Sequence, residues 1–166
     1  MRPLYFFLLL MLPGFLSVAQ DSKQVLSPRA YAKNDNAEIS YGQPSKRGRV
    51  IFGELVPYGQ VWRTGANEAT EITFKKDCVF AGKQVKAGTY TLFTIPTQKE
   101  WTVILNGQLK QWGAFAYEDN KSKDVLHINV PVKKMENPQE KFVINLTKDA
   151  LEMSWDQTAV AVPVKF

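Results

Sequence analysis

The chain has 166 residues, 45% of them hydrophobic, and a formal net charge of +5 at pH 7. Its single cysteine, Cys78, excludes an internal disulfide and a cysteine-based zinc site, so packing must stabilise the fold. The charge excess is mild and the basic residues lack interleaved aromatic side chains, so no nucleic-acid partner is predicted. The length predicts one domain, over residues 20–166.

Residues 1–19 have the pattern of a secretory signal peptide. Arg2 gives a charged start, the apolar run Leu4–Leu12 follows, and small residues end the segment at Ala19. A transmembrane anchor is less favoured, because Pro13 interrupts the run short of the ~20 apolar residues that a bilayer requires. We predict cleavage after Ala19, a periplasmic or secreted location and no membrane span in the remaining chain.

The first strands are predicted at Ala37–Tyr41 and Arg49–Phe52. From Ile72 onward apolar and polar residues alternate with period two, which predicts half-buried antiparallel strands. A hairpin is predicted over Cys78–Pro96, and Cys78 itself is interpreted as a small buried hydrophobe.

Further along, Glu136, Asn137 and Pro138 predict a turn, and the tail Val160–Phe166 predicts an internal or edge strand. No window of ten or more residues shows a helical stripe. The pattern predicts an all-β fold, an antiparallel β-sandwich, jelly-roll-like, of about eight to ten strands in a single domain.

Most catalytic templates fail on residue inventory. His127 is the only histidine, no Gly-x-Ser-x-Gly motif accompanies it, and it lies out of phase with the apolar face of its strand. One histidine and one cysteine leave a metal site without ligands, so neither a metal nor a cofactor is predicted. Paired carboxylates for glycoside cleavage stay open, drawn from Glu54, Glu68, Glu71, Glu118 and Asp119.

The positive candidates for a binding site lie in the segment Tyr58–Glu68. Arg63 offers a planar fork suited to a carboxylate or phosphate, and Asn67 offers both a donor and an acceptor. Tyr58 and Trp62 offer stacking faces, Glu68 adds a charge, and a second aromatic segment begins at Trp112. A purely structural role is also open and is the default, with Arg63 paired to Glu68 or Glu54, Asn67 capping the turn and Trp62 plugging the sandwich.

Lys46, Arg47 and Arg49 form a short basic group before this segment. A solvated surface is the default interpretation of scattered charge, and an anionic envelope glycan is the alternative partner. The sequence predicts no particular oligomeric state.

Several motifs together resemble domain of unknown function family 2911. They include Tyr41-Gly42-Gln43-Pro44, Leu55-Val56-Pro57-Tyr58-Gly59, Ala87-Gly88-Thr89-Tyr90 and, as the most specific match, Trp62-Arg63-Thr64-Gly65-Ala66-Asn67-Glu68. The resemblance covers nearly all of the chain after residue 19. It implies an exported, mostly β protein of Gram-negative bacteria and brings no established activity, while favouring Tyr58, Trp62, Arg63, Asn67 and Glu68 if a site exists.

Three functions follow as hypotheses. The first is non-catalytic binding of a small ligand or glycan through the Tyr58–Glu68 segment and Trp112. The second is hydrolysis of envelope polysaccharide by two carboxylates. The third is a structural or protein-interaction domain, which an exposed apolar strip on an edge strand would favour.

Overall fold

The computed structural model describes residues 26–166, which form two antiparallel β-sheets packed over one main core. The strands are β1 Arg29–Lys33, β2 Ala37–Gly42, β3 Thr70–Phe74, β4 Cys78–Phe80, β5 Lys83–Val85, β6 Gly88–Pro96, β7 Glu100–Asn106, β8 Asp124–Pro131, β9 Lys133–Leu146 and β10 Ala150–Lys165. Within this range the helical segments are α1, Tyr117–Asn120, and a 3-10 turn, Lys121–Lys123. The predicted all-β antiparallel sandwich is confirmed.

The larger sheet has the order β1-β2-β3-β6-β7-β8 and the smaller sheet the order β5-β4-β10-β9. Consecutive strands of the larger sheet are neighbours, except that the short β4-β5 hairpin leaves it between β3 and β6. This is a meander, so the described strands lack the paired Greek keys that the jelly-roll refinement of the prediction requires.

Three local predictions were wrong. Residues 49–52 form no strand, because Ile51 and Phe52 are apolar in order to pack on the core and not to line a sheet. The predicted hairpin Cys78–Pro96 is divided, since β5 returns on β4 while β6 pairs with β3 in the other sheet. The predicted turn at residues 136–138 lies inside β9, where Pro138 is tolerated because β9 is an edge strand.

The tail predicted as an internal or edge strand is the end of an internal strand, because β10 runs without a break from Ala150 to Lys165 between β4 and β9. The signal peptide predicted over residues 1–19 lies outside the described residues. No helix in the described part of the chain is long and apolar enough to cross a membrane.

The core is built from alternate side chains of both sheets, as period-two strands require. One end is aromatic: Trp62, Trp101, Trp155, Phe52 and Phe142 contact one another with ring centroids 4.9–6.4 Å apart. Near the other end Cys78 is buried, and burial raises the pKa of its thiol to about 11. A thiol that stays protonated in an apolar setting fits its interpretation as a small hydrophobe.

The connecting loop, residues 43–69, joins β2 to β3 and ties the two sheets together. On the smaller sheet, Lys46 N donates to Glu140 O at 2.7 Å and Phe142 N donates to Pro44 O at 2.9 Å. On the larger sheet, Trp62 pairs with Thr94 of β6, the strand that also pairs with β3. Loops of this length without strands of their own are uncommon in compact domains, and an ordered one usually serves a function.

The connecting loop passes β2 with no space for a side chain at Gly42. Ala66 N donates to Gly42 O at 3.1 Å, and a Cβ placed on Gly42 would lie 2.0 Å from the carbonyl oxygen of Ala66. Both atoms belong to backbone, so the clash has no cheap relief. The close approach fixes the backbone at Ala66, three residues after Arg63.

We therefore expect Gly42→Ala to destabilise the fold by at least about 2 kcal/mol, measured as the free energy of unfolding in urea. Gly107→Ala is the matched control, since the nearest contact of its added Cβ is an ordinary 3.5 Å to Lys123 O. Equal stability of the two variants would show that the loop does not approach β2 in this way.

Candidate functional site

Trp62 is the anchor of the connecting loop. Its backbone exchanges two hydrogen bonds with Thr94 of β6, at 2.7 and 3.0 Å. The indole is 9% exposed, stacks on Trp155 at 6.1 Å with an interplanar angle of 18°, and donates from Nε1 to Gly65 O at 3.0 Å. Trp62 therefore plugs the end of the sandwich, as the structural role predicted. It also lines a cleft.

The backbone on either side of Arg63 is held in place. Thr64 has the left-handed φ of 53°, which is a strained conformation for a β-branched residue. Its hydroxyl lies 3.1 Å from the Thr94 hydroxyl, and Thr70 Oγ1 donates to Thr64 O at 2.7 Å. Thr70 N donates to Arg63 O at 3.1 Å. Arg63 therefore projects from a segment that is rigid before any ligand arrives.

The Arg63 side chain is half-buried, yet nothing in residues 26–166 forms a salt bridge with it. Its Nε is buried and has no acceptor among the described residues. Burial alone lowers the pKa of the guanidinium. Neither Glu68 nor Glu54 pairs with it, so the internal ion pair of the structural alternative does not form. A charge that loses water without gaining a partner costs free energy, and such a cost is commonly retained at functional positions.

A cleft of about 1080 Å³ opens in front of Arg63, which we call the Arg63 cleft. Arg47, Arg49 and Arg63 are its charged lining residues, and no Asp or Glu among the described residues lines it. Arg49 is oriented by donating to Ser45 O at 2.6 Å and Lys46 O at 3.0 Å. The default interpretation of Arg47 and Arg49 as solvated surface missed their place in the cleft, although they lie only shortly before the Tyr58–Glu68 segment in the sequence.

Apolar side chains form the rim of the Arg63 cleft. Leu26, Leu55 and Phe115 all line it and are 61%, 43% and 83% exposed. Phe115 belongs to the aromatic loop, Trp112–Tyr117, which therefore lies beside the Trp62 segment as one wall. Gly113 lets the Phe115 ring lie against the loop backbone. It has φ +68°, and a Cβ there would lie 2.7 Å from the Phe115 ring. Phe115 belongs to the second aromatic segment noted from the sequence, whereas Leu26 and Leu55 were not proposed as binding residues.

The other predicted binding residues are divided between this cleft and its surroundings. Asn67 lines the cleft and donates from Nδ2 to Ser27 O at 3.0 Å, which fixes the chain before β1. Tyr58, Glu68 and Trp112 lie outside the lining. Glu68 forms an ion pair with Arg29 at 3.1 Å, Trp112 pairs with Glu68 as an isolated β-bridge, and Tyr58 packs beside Gly53.

Two of the five proposed carboxylates come together, but in a different place. Glu68 and Glu71 line a smaller cleft of about 330 Å³ with Arg29 and Lys110. Glu68 is half exposed and bound to Arg29, and Glu71 accepts from Lys110 N at 2.8 Å. In this solvated arrangement both carboxylates already have partners, so it does not favour the hydrolase hypothesis.

His127 lies on the exposed face of edge strand β8. It does not line the Arg63 cleft. It bonds to Asp124 at 2.7 Å, and Asp124 also accepts from the hydroxyl of Tyr117 at 2.7 Å. Burial and this bond raise the pKa of Tyr117. Across residues 26–166, no three His, Cys, Asp or Glu side chains gather as a metal site requires.

Fold and site together define an antiparallel β-sandwich with an arginine-lined cleft at its aromatic end. A model of the family described as protein of unknown function (DUF2911) matches residues 23–164, and the chain belongs to this family. No curated protein matches the chain. No solved structure matches it.

Because Trp62 anchors the connecting loop, we expect Trp62→Leu to lower the free energy of unfolding by about 3 kcal/mol, or roughly 9 °C in midpoint. Trp112→Leu is the matched control: its side chain is 55% exposed, so the same exchange should cost less than about 1 kcal/mol. Thermal unfolding followed by circular dichroism distinguishes the two, and equal losses would contradict the anchoring role.

Proposed function

We propose that this protein binds a small ligand or glycan in the Arg63 cleft and releases it unchanged. The observation that carries the proposal is the half-buried Arg63 guanidinium, which faces a cleft and is paired with no carboxylate of residues 26–166. An arginine fork supplies five N–H donors in a fixed plane, which suits a ligand that brings its own acceptors.

The rigid backbone around Arg63 supports binding. Trp62, Thr64 and Thr70 hold the segment by hydrogen bonds to β6 and within the loop, so little ordering remains to oppose association. A site that is preorganised in this way retains more of its contact energy as affinity. The cleft volume of about 1080 Å³ also lies near the upper end of the range for small-molecule sites.

The chemical character of the lining favours binding over catalysis. Among the described residues, none that lines the cleft is His, Cys, Asp or Glu. Proton transfer and nucleophile activation rely mainly on those side chains, and the serine hydroxyls of Ser27 and Ser45 have no base beside them in the lining. The edge strand β9 exposes mainly charged side chains, including Lys133, Lys134 and Lys141, so this edge does not offer the apolar strip that would favour the interaction-domain hypothesis.

We also place this binding outside the cytoplasm. The support is sequence-based: the charged start, apolar run and small residues of 1–19 are typical of an exported chain. A periplasmic or secreted binding protein would meet sugars, organic acids and phosphate esters, the classes that the test below samples.

The test is thermal unfolding of the purified protein with glucose, maltose, glucuronate, hexanoate and glucose 6-phosphate. A ligand present at about 100 times its dissociation constant should stabilise the fold by about 2.7 kcal/mol, a rise of roughly 8 °C. The rise should disappear in Arg63→Met and persist in Arg29→Met, whose arginine lies outside the Arg63 cleft.

A rise that survives Arg63→Met unchanged would place the ligand elsewhere and contradict the proposal. Absence of any rise across neutral and anionic compounds would contradict it as well.

A further inference from the structure

We propose that the ligand of the Arg63 cleft is an anionic amphiphile: an oxyanion, carboxylate or phosphate, joined to an apolar body. This deepens the proposed function and rests on it. Arginines supply the anion site, and the exposed apolar rim of Leu26, Leu55 and Phe115 supplies the surface for the body of the ligand.

The charged groups of the cleft are all donors. Arg47, Arg49 and Arg63 together present guanidinium N–H groups and no lone pair, whereas a neutral sugar hydroxyl both donates and accepts. An oxyanion accepts only, and its charge offsets the cationic field of the cleft. Charge and hydrogen-bond polarity therefore point to the same class of ligand.

Nearby carboxylates are committed to other partners. Asp156 binds Lys46 Nζ at 2.5 Å, and Glu140 Oε1 accepts the backbone N–H of Arg47 at 2.9 Å. Glu68 binds Arg29 at 3.1 Å. None of these three lines the cleft, so the arginines face it without neutralisation by any acid of the described chain.

The apolar rim is more than scattered surface hydrophobes. Of the eight large hydrophobic side chains that are exposed in residues 26–166, three line this one cleft. Exposed apolar groups that gather around a polar centre mark binding sites. Phe115 is 83% exposed although the structure holds its ring over Gly113, so a ligand can cover it without rearrangement of the loop.

Binding is measured by the fluorescence of Trp62 and Trp155, which both line the cleft. The probes are butyl phosphate, hexyl phosphate, hexanoate, hexanol, inorganic phosphate and glucose, each below its aggregation concentration. Hexyl phosphate should bind at least about tenfold more tightly than butyl phosphate, because each buried methylene adds about three- to fourfold. Hexyl phosphate and hexanoate should each bind at least about tenfold more tightly than hexanol or inorganic phosphate, and added salt should weaken their binding.

Variants separate the two halves of the site. Arg63→Met should weaken hexyl phosphate at least about tenfold, whereas Arg29→Met should leave it unchanged. Phe115→Ser should remove most of the difference between hexyl and butyl phosphate without altering the affinity for inorganic phosphate. Because Phe115 is exposed, this variant should fold normally, and circular dichroism checks its fold.

The results that would overturn the proposal are distinct. If glucose or hexanol binds in an Arg63-dependent way as tightly as hexyl phosphate, the proposed function survives and the anionic amphiphile is refuted. If inorganic phosphate binds as tightly as hexyl phosphate, the apolar half is refuted. Binding to phosphatidylglycerol vesicles but to none of the free probes would assign the rim to a membrane surface, and no binding at all would refute both proposals.

Discussion

The stacking of Trp62 on Trp155, combined with the backbone exchange between Trp62 and Thr94, is the constraint on which the site depends. The stack joins the connecting loop to the smaller sheet, and the exchange joins it to the larger sheet. Trp62 also lies within reach of Phe52, Trp101 and Phe142, so moving it would open the aromatic end of the core. A buried indole with its N–H satisfied gives both apolar area and direction, which explains how one residue positions a long loop.

Anchoring Trp62 determines what its neighbours can do. With Trp62 packed into the core and Thr64 held in a left-handed conformation, the Arg63 side chain is left to line the cleft. The acids that might neutralise it are held by Lys46, Arg29 and backbone groups. Structural and binding roles are therefore divided within one short motif: tryptophan and threonines brace the fold, and the arginine between them is left for a ligand.

Much of the fold was predictable because alternation in strands such as β7 and β8 reports directly which face is buried. Alternation does not report neighbours, so the separation of β5 from β6 could not be read from the predicted hairpin. The strand predicted at residues 49–52 was wrong because a loop that packs into an aromatic cluster and a buried strand both require apolar side chains. For the site, the sequence indicated Arg63 by its chemistry and marked both the basic group and the second aromatic segment, but only the fold shows that Arg49 and Phe115 line the same cleft as Arg63.

The central claim, that Arg63 does not stabilise the fold through a partner, is tested most directly by the free energy of unfolding of Arg63→Met. This exchange keeps the stem and removes the charge. The account predicts a loss below about 1 kcal/mol, or a gain, while Lys46→Met, which strands Asp156 after breaking a 2.5 Å ion pair, should lose about 2 kcal/mol. A loss of about 3 to 5 kcal/mol for Arg63→Met would show a buried ion pair and contradict the account.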